Sequence, residues 1–157
     1  MENGSTWKFW GVLVCIGLAI WWFQSSGCQN SDLKDVDMPS NGAVLSGSSG
    51  GGASYKITAS SSDSCYVKVI NSAGKTQVGF FVRAGSSAEV SVPTGTYNVH
   101  FAYGEKWYGK ENLFGKNTTY GQDKQSVTLN LGDQMTYSMQ KKSSGNFRMS
   151  SLSASDF

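Results

Sequence analysis

The residues best suited to binding a ligand lie in the segment 104–125, where aromatic and charged side chains alternate with glycines. The candidate ligand-binding residues are Lys106, Trp107, Tyr108, Phe114 and Tyr120. Flat aromatic faces beside polar side chains can hold a sugar ring or a peptide. The same segment also admits a structural role, in which Trp107, Leu113 and Phe114 fold back and close the open end of the domain. Both interpretations stay open on the sequence alone.

Catalytic residues are harder to find in this sequence. Its single histidine, His100, has no serine or cysteine nucleophile motif around it, whereas a general base needs a partner within hydrogen-bond reach. The carboxylates with any claim to catalysis are Glu105, Glu111, Asp123 and Asp133, and none stands in a recognisable catalytic context. We therefore expect a protein that is not an enzyme.

Composition argues against metal, cofactor and nucleic-acid binding. The three cysteines, Cys15, Cys28 and Cys65, form no CxxC pair, and one histidine is too few for a zinc or iron site built from His and Cys. We expect no cofactor. The net charge of +2 is small and its basic residues are scattered, so the chain lacks the basic stripe that nucleic-acid binding requires. In an oxidising compartment Cys28 could pair with Cys65, although a buried thiol is the favoured interpretation of Cys65.

The elements that must position these side chains are predicted to be strands. Apolar and polar residues alternate with a period of two, as they do in half-buried strands. In the strand at 77–83, for example, Val78, Phe80 and Val82 face inward and Phe81 lies opposite. The predicted strands cover residues 55–59, 65–70, 77–83, 88–92, 97–103, 126–131, 134–141 and 146–150. Seven or eight short strands predict an all-β antiparallel sandwich, with a barrel as the alternative.

The clearest strand pattern spans residues 88–103. Two alternating runs flank a short break at Pro93 and Gly95, residues that are typical of a strand end and a tight turn. We interpret this stretch as an antiparallel hairpin.

An apolar run near the N-terminus predicts a membrane anchor in residues 1–23. Residues 9–23 carry no charge, and tryptophans flank the run at both ends: Trp7, Trp10, Trp21 and Trp22. The length is slightly short but sufficient for a bilayer, and paired aromatic belts are typical of a spanning helix. Lys8 before the run and the acidic residues after it place the N-terminus in the cytoplasm and the rest of the chain outside.

Three alternatives to a retained anchor remain. Ser25-Ser26-Gly27-Cys28 resembles a lipobox, so Cys28 is a candidate lipidation site. A cleaved signal peptide and a buried helix are the others, but the Trp-Trp-Phe end fits a cleavage site poorly and the run has no polar face.

Residues 24–54 are predicted to be a flexible linker. They are polar, acidic and then rich in glycine and serine, a composition that cannot bury enough surface to fix a conformation. The globular domain is accordingly expected to cover residues 55–157.

Two family resemblances follow from the strand motifs. The run Tyr66-Val67-Lys68-Val69, the turn at Gly74 and the stretch Val92-Pro93-Thr94-Gly95-Thr96-Tyr97-Asn98-Val99 resemble transthyretin-like sandwiches of the carboxypeptidase regulatory-like and PEGA types. This resemblance implies a fold and carries no catalytic residue.

A second resemblance covers most of residues 65–157. Phe80-Phe81-Val82-Arg83-Ala84-Gly85, Lys106-Trp107-Tyr108-Gly109, Leu113-Phe114-Gly115 and Ser153-Ala154-Ser155-Asp156-Phe157 are similar to an uncharacterised bacterial module, the C-terminal domain of membrane-anchored zinc-ribbon and J-domain proteins. This chain has neither zinc-ribbon cysteines nor a His-Pro-Asp motif, so the resemblance implies the anchored architecture alone.

Together these patterns predict a single-pass protein of the bacterial cytoplasmic membrane. Residues 7–23 would contact the lipid bilayer, and the β-domain would lie in the periplasm or outside the cell. The expected function is a non-catalytic interaction or scaffolding module with a protein or glycan partner. The alternative is a carbohydrate- or peptidoglycan-binding domain that uses the aromatic loop 104–125.

Overall fold

The computed structural model describes residues 33–139 and 149–157. These residues form ten strands and one turn of 3₁₀ helix, which confirms the prediction of an all-β fold. The strands are β1 (Val44–Gly47), β2 (Ala53–Thr58), β3 (Ser64–Asn71), β4 (Thr76–Val82), β5 (Ser87–Val92), β6 (Gly95–Gly104), β7 (Thr119–Asp123), β8 (Val127–Leu129), β9 (Gln134–Ser138) and β10 (Met149–Ser151), and the 3₁₀ turn is Gly115–Asn117.

The predicted anchor at residues 7–23 and the candidate lipidation site Cys28 lie outside the described residues. Within the described ranges, no helix has the length and apolar character needed to cross a membrane.

The strands form two sheets. The larger sheet has the order β1-β4-β3-β6-β7-β10, and β8 continues alongside β6 beyond the end of β7. The smaller sheet has the order β5-β2-β9. Pairing is antiparallel throughout except between β2 and β9, which run parallel. A parallel pair needs a long connection, and most of the described chain lies between these two strands.

The predicted hairpin at residues 88–103 is wrong, because its two strands belong to different sheets. β5 pairs with β2, whereas β6 pairs with β3 over eight residues. The connection at Pro93 therefore crosses from one sheet to the other, and the Tyr97 hydroxyl closes it by donating to the Pro93 carbonyl oxygen at 2.8 Å. Alternation identifies the buried face of each strand, but it does not identify the strand's partner.

The main core lies between the two sheets. It contains the inward side chains of both, among them Ile57, Val67, Phe80, Val92, Val99 and Phe101, each with no exposed surface. The predicted faces of the strand at 77–83 are confirmed, since Val78, Phe80 and Val82 belong to this core.

A second apolar cluster covers the outer face of the larger sheet. Phe81, Tyr66 and Ala102 point outward from β4, β3 and β6, and Trp107, Leu113 and Phe114 bury them. The larger sheet is therefore apolar on both faces, and it is the middle layer of three.

Residues 33–54 do not form the flexible linker that their composition predicts. The compact unit begins at Leu33, and β1 pairs with β4 and forms the edge of the larger sheet. The Arg83 guanidinium donates to the backbone oxygens of Met38 and Pro39, both at 2.8 Å.

The glycines in this stretch permit close backbone contact. Gly51 has a φ of +137°, and a Cβ placed there would lie 2.2 Å from the backbone carbonyl of Val92. Next to it, the Gly50 amide donates to the Ser91 oxygen at 2.8 Å, and the Ser91 amide donates to the Ser49 hydroxyl. Backbone hydrogen bonds thus add to the modest apolar contacts of this segment, in which Met38 and Leu45 pack against the second cluster.

Candidate functional site

The aromatic residues of segment 104–125 are divided between the interior and the surface. Trp107 is 5% exposed and Phe114 is 2% exposed, while Tyr108 and Tyr120 are half-buried and Lys106 is exposed. The Trp107 ring centroid lies 5.0 Å from that of Phe81 and 5.3 Å from that of Phe114, both in edge-to-face geometry. Trp107 and Phe114 therefore pack against the outer face of the larger sheet, and they do not close an end of the domain.

A compact turn after β6 places these side chains. The Tyr108 amide donates to the Leu113 oxygen, and the Leu113 amide donates to the Gly109 oxygen, both at 2.7 Å. Leu113 has a φ of 50°, a left-handed conformation that few non-glycine residues adopt. This strained backbone is held because the Leu113 side chain is buried in the second cluster.

A cleft of about 470 Å³ opens beside this turn. Its lining residues are Asp63, Gly104, Glu105, Lys106, Tyr108, Phe114 and Asn117. The structure thus brings together three of the five predicted binding residues. Trp107 lies beneath the surface, and Tyr120 lies on β7 away from this lining.

Local hydrogen bonds fix the polar walls of the cleft. The Ser60 and Ser62 hydroxyls donate to the Asp63 carboxylate at 3.2 and 2.6 Å. On the opposite wall, the Phe114 amide donates to the Thr118 hydroxyl at 3.0 Å, and that hydroxyl donates to the Gly115 oxygen at 2.7 Å. The Asp63 carboxylate and the backbone at 114–118 are therefore held in place by contacts within the domain.

The cleft combines hydrogen-bonding groups of both kinds. The carboxylates of Asp63 and Glu105 accept hydrogen bonds, and Lys106 and Asn117 donate them. Tyr108 adds an aromatic face. A polar ligand with several hydroxyl or amide groups matches this lining.

Sequence reasoning missed Asp63. Its turn precedes β3, and the register pairs Ser64 at the start of β3 with Gly104 at the end of β6. That pairing brings Asp63 next to segment 104–108, and only the strand register could have revealed it.

Sequence reasoning also missed a second group, which surrounds Phe157. The Lys68 amine donates to the Phe157 backbone oxygen at 2.5 Å and lies 4.2 Å from the centre of the Phe157 ring. The rings of Tyr66 and Tyr120 lie 5.9 and 5.4 Å from that of Phe157. The outward alternation of Tyr66 and Lys68 on β3 was the available signal.

His100 is a half-buried residue next to this group. Its Nδ1 atom is buried and has no hydrogen-bond partner among the described residues. Burial, and then the charge of Lys68, hold the pKa of His100 below its ordinary value of 6.5. The neutral imidazole is therefore favoured more than in a solvent-exposed histidine.

The remaining candidate carboxylates either accept hydrogen bonds from neighbouring residues or are exposed to solvent. Asp123 accepts a hydrogen bond from the Tyr137 hydroxyl at 2.7 Å, and Asp133 accepts one from the Asn130 amide at 2.7 Å. Glu111 is exposed. Across the two described ranges, no three His, Cys, Asp or Glu residues lie close enough to share a metal ion.

Cys65 is a buried thiol that forms no disulfide within residues 33–139 and 149–157. It is 1% exposed, and burial raises its pKa. Its possible partner Cys28 lies outside the described residues.

Comparisons of this chain with protein-family models, with curated proteins and with solved structures gave no match.

Proposed function

We propose that this chain is a membrane-anchored, non-catalytic interaction module. In this proposal residues 7–23 span the bacterial cytoplasmic membrane, and a transthyretin-like β-sandwich stands on the periplasmic or outer side. The tryptophan-flanked apolar run and the compact all-β unit that follows it support this arrangement.

The observation that carries the interaction role is the cleft between Asp63 and Asn117. Its walls come from three separate parts of the chain, and each is held by contacts within the domain. A binding surface that is already ordered loses less conformational entropy when a partner binds. The cleft is therefore suited to recognition by shape and hydrogen bonding.

A carbohydrate or peptidoglycan fragment is the ligand class that we propose for this cleft. The Tyr108 ring can pack on the apolar face of a sugar, while Asp63 and Glu105 accept hydrogen bonds from its hydroxyls. The platform differs from the one that the sequence predicted, since Tyr108 remains accessible and Trp107 does not.

The test is binding of the full chain, in lipid nanodiscs, to a panel of oligosaccharides and soluble muropeptides. We expect Tyr108→Ala to weaken binding about tenfold, equivalent to about 1.4 kcal/mol. Lys75→Ala, which changes an exposed lysine in the β3–β4 turn, is the matched control and should bind normally. No binding by the wild type, or an equal loss in both variants, would refute the carbohydrate assignment.

The anchor needs its own test. We expect Cys28→Ser to stay in the membrane after an alkaline carbonate wash, because a spanning helix does not depend on lipidation. Incorporation of labelled palmitate by the wild type but not by Cys28→Ser would assign the lipoprotein alternative instead.

A further inference from the structure

The last nine residues form a strap that crosses the edge of the larger sheet. We define the C-terminal strap as residues 149–157. It begins as β10, which pairs with β7 from Met149 opposite Asp123 to Ser151 opposite Gly121. It ends at Phe157, which packs on the outer face of the same sheet.

Phe157 occupies a socket built from three neighbouring strands. The register places Tyr66 of β3, Ala102 of β6 and Tyr120 of β7 in one row across the sheet. Ala102 is the smallest of the three, so it leaves space between the two tyrosine rings. We define the aromatic socket as Tyr66, Lys68, Ala102 and Tyr120.

Lys68 gives the socket two means of recognising an aromatic residue. Its amine donates to the backbone oxygen of Phe157 and also lies over the Phe157 ring. A cation held above a ring face attracts the ring electrostatically. The Lys68 side chain therefore contacts both the aromatic ring and the backbone oxygen of Phe157.

The strap is attached by few contacts. Two hydrogen bonds of its turn are internal: the Asp156 amide donates to the Ser153 oxygen at 3.1 Å, and the Ser153 hydroxyl donates to the Asp156 carboxylate at 2.6 Å. These bonds persist if the strap leaves the sheet. Release requires the loss of the short β10 pairing, the contacts of Phe157 and a hydrogen bond between His100 and the Asp156 backbone. Terminal segments held by a small number of contacts open locally.

We propose that the β7 edge and the aromatic socket form a peptide-docking groove that the strap occupies in this structure. The ligand is an extended segment of a partner protein, which pairs with β7 and places an aromatic residue in the socket. Release of the strap exposes the unpaired amides and carbonyls of β7, and an exposed sheet edge binds added strands. The strap itself defines the chemistry, with an aromatic side chain six residues after the paired strand.

This inference rests on the proposed interaction function and adds a second surface to it. The probe is a fluorescent peptide with the sequence of residues 149–157, titrated into the full chain in nanodiscs and followed by fluorescence polarisation. Phe157→Ala weakens the bound strap, so we expect it to bind the peptide about tenfold more tightly than the wild type does.

Three controls make the result specific. A peptide ending in alanine instead of phenylalanine should not bind, and Lys68→Met added to Phe157→Ala should remove the binding gained. The double variant must keep the wild-type circular dichroism spectrum. Tyr108→Ala added to Phe157→Ala should bind the peptide normally, because the carbohydrate cleft is a separate surface.

Equal peptide affinity in the wild type and Phe157→Ala would overturn the proposal. Equal affinity of Phe157→Ala for the peptides ending in phenylalanine and in alanine would overturn it too. A wild-type dimer that disappears in Phe157→Ala, measured by light scattering, would also overturn it, because the socket would then hold the strap of a second copy. Failure of sugar binding alone would leave the docking groove intact.

Discussion

Replacing Trp107 with alanine separates the two roles that the sequence allowed for this residue. Trp107 is 5% exposed, and its ring packs edge-to-face against Phe81, Phe114 and Tyr66. If this packing is its role, the substitution destabilises the domain. If Trp107 were an exposed ligand platform, the substitution would leave stability unchanged.

The expected loss follows from the size of the side chain and its location. Replacing a buried tryptophan or phenylalanine by alanine costs about 3–5 kcal/mol. We expect about 3 kcal/mol for Trp107→Ala, since segment 104–114 lies at the surface and can partly relax into the space left. For a domain of this size, that loss lowers the melting temperature by about 10 °C.

The assay is urea unfolding of the full chain in detergent micelles, followed by circular dichroism so that the lost indole does not affect the signal. Tyr108→Ala is the matched control, because it removes the neighbouring aromatic ring from a half-buried position. We expect it to lower the unfolding free energy by less than about 1 kcal/mol.

The reasoning is refuted if Trp107→Ala unfolds within about 0.5 kcal/mol of the wild type, which is the range of neutral surface changes. A stable Trp107→Ala variant that no longer bound the oligosaccharide panel would restore the exposed-platform interpretation.

Three further predictions follow from the same structure. Gly104→Ala should lower the unfolding free energy by about 1–3 kcal/mol in urea titrations, since its Cβ would lie 2.6 Å from the Phe114 Cβ. Burial and then the charge of Lys68 hold the pKa of His100 below 6.5 in the folded state. The contribution of His100 to the unfolding free energy should therefore be fully present above pH 6.5 and should be lost as the pH decreases below it. Melting temperatures measured across this pH range should fall less in His100→Gln. Cys65 should resist iodoacetamide until urea unfolds the domain, as measured by peptide mapping, because burial raises the pKa of its thiol.

The period of two in the sequence predicted most of the strands and their buried faces, but not which strands are neighbours in the sheets. Val78 and Phe80 were assigned to the core because alternation determines which side chains share a face. The partner of β5 depends on contacts with β2, which lies some 30 residues earlier. Local alternation carries no information about that pairing.

Two strands were missed for a different reason. β1 and β7 contain glycine and few apolar residues, so neither alternates clearly. Backbone pairing with β4 and β6 holds them in place. Strands of this kind are determined by the strands that they pair with and not by their own composition.

The candidate site was predictable only in part. Lys106, Tyr108 and Phe114 do line the cleft, but residue type alone could not separate the half-buried Tyr108 from the buried Trp107. The outward position of Phe81 indicated that the outer face needed an apolar cover. The contribution of Asp63 required the register of β3 and β6.

The position of β1 affects how the domain can be trimmed. A fragment beginning at Tyr55, the boundary that composition suggests, would strip β1 from β4 and shorten β2. The backbone amides and carbonyls of β4 that face β1 would then be unpaired, and they could pair with β4 of another molecule. Unpaired strand edges of this kind promote aggregation. The segment whose composition suggests a tether therefore protects the edge of the sheet, and it prevents β4 from pairing with another copy of the chain.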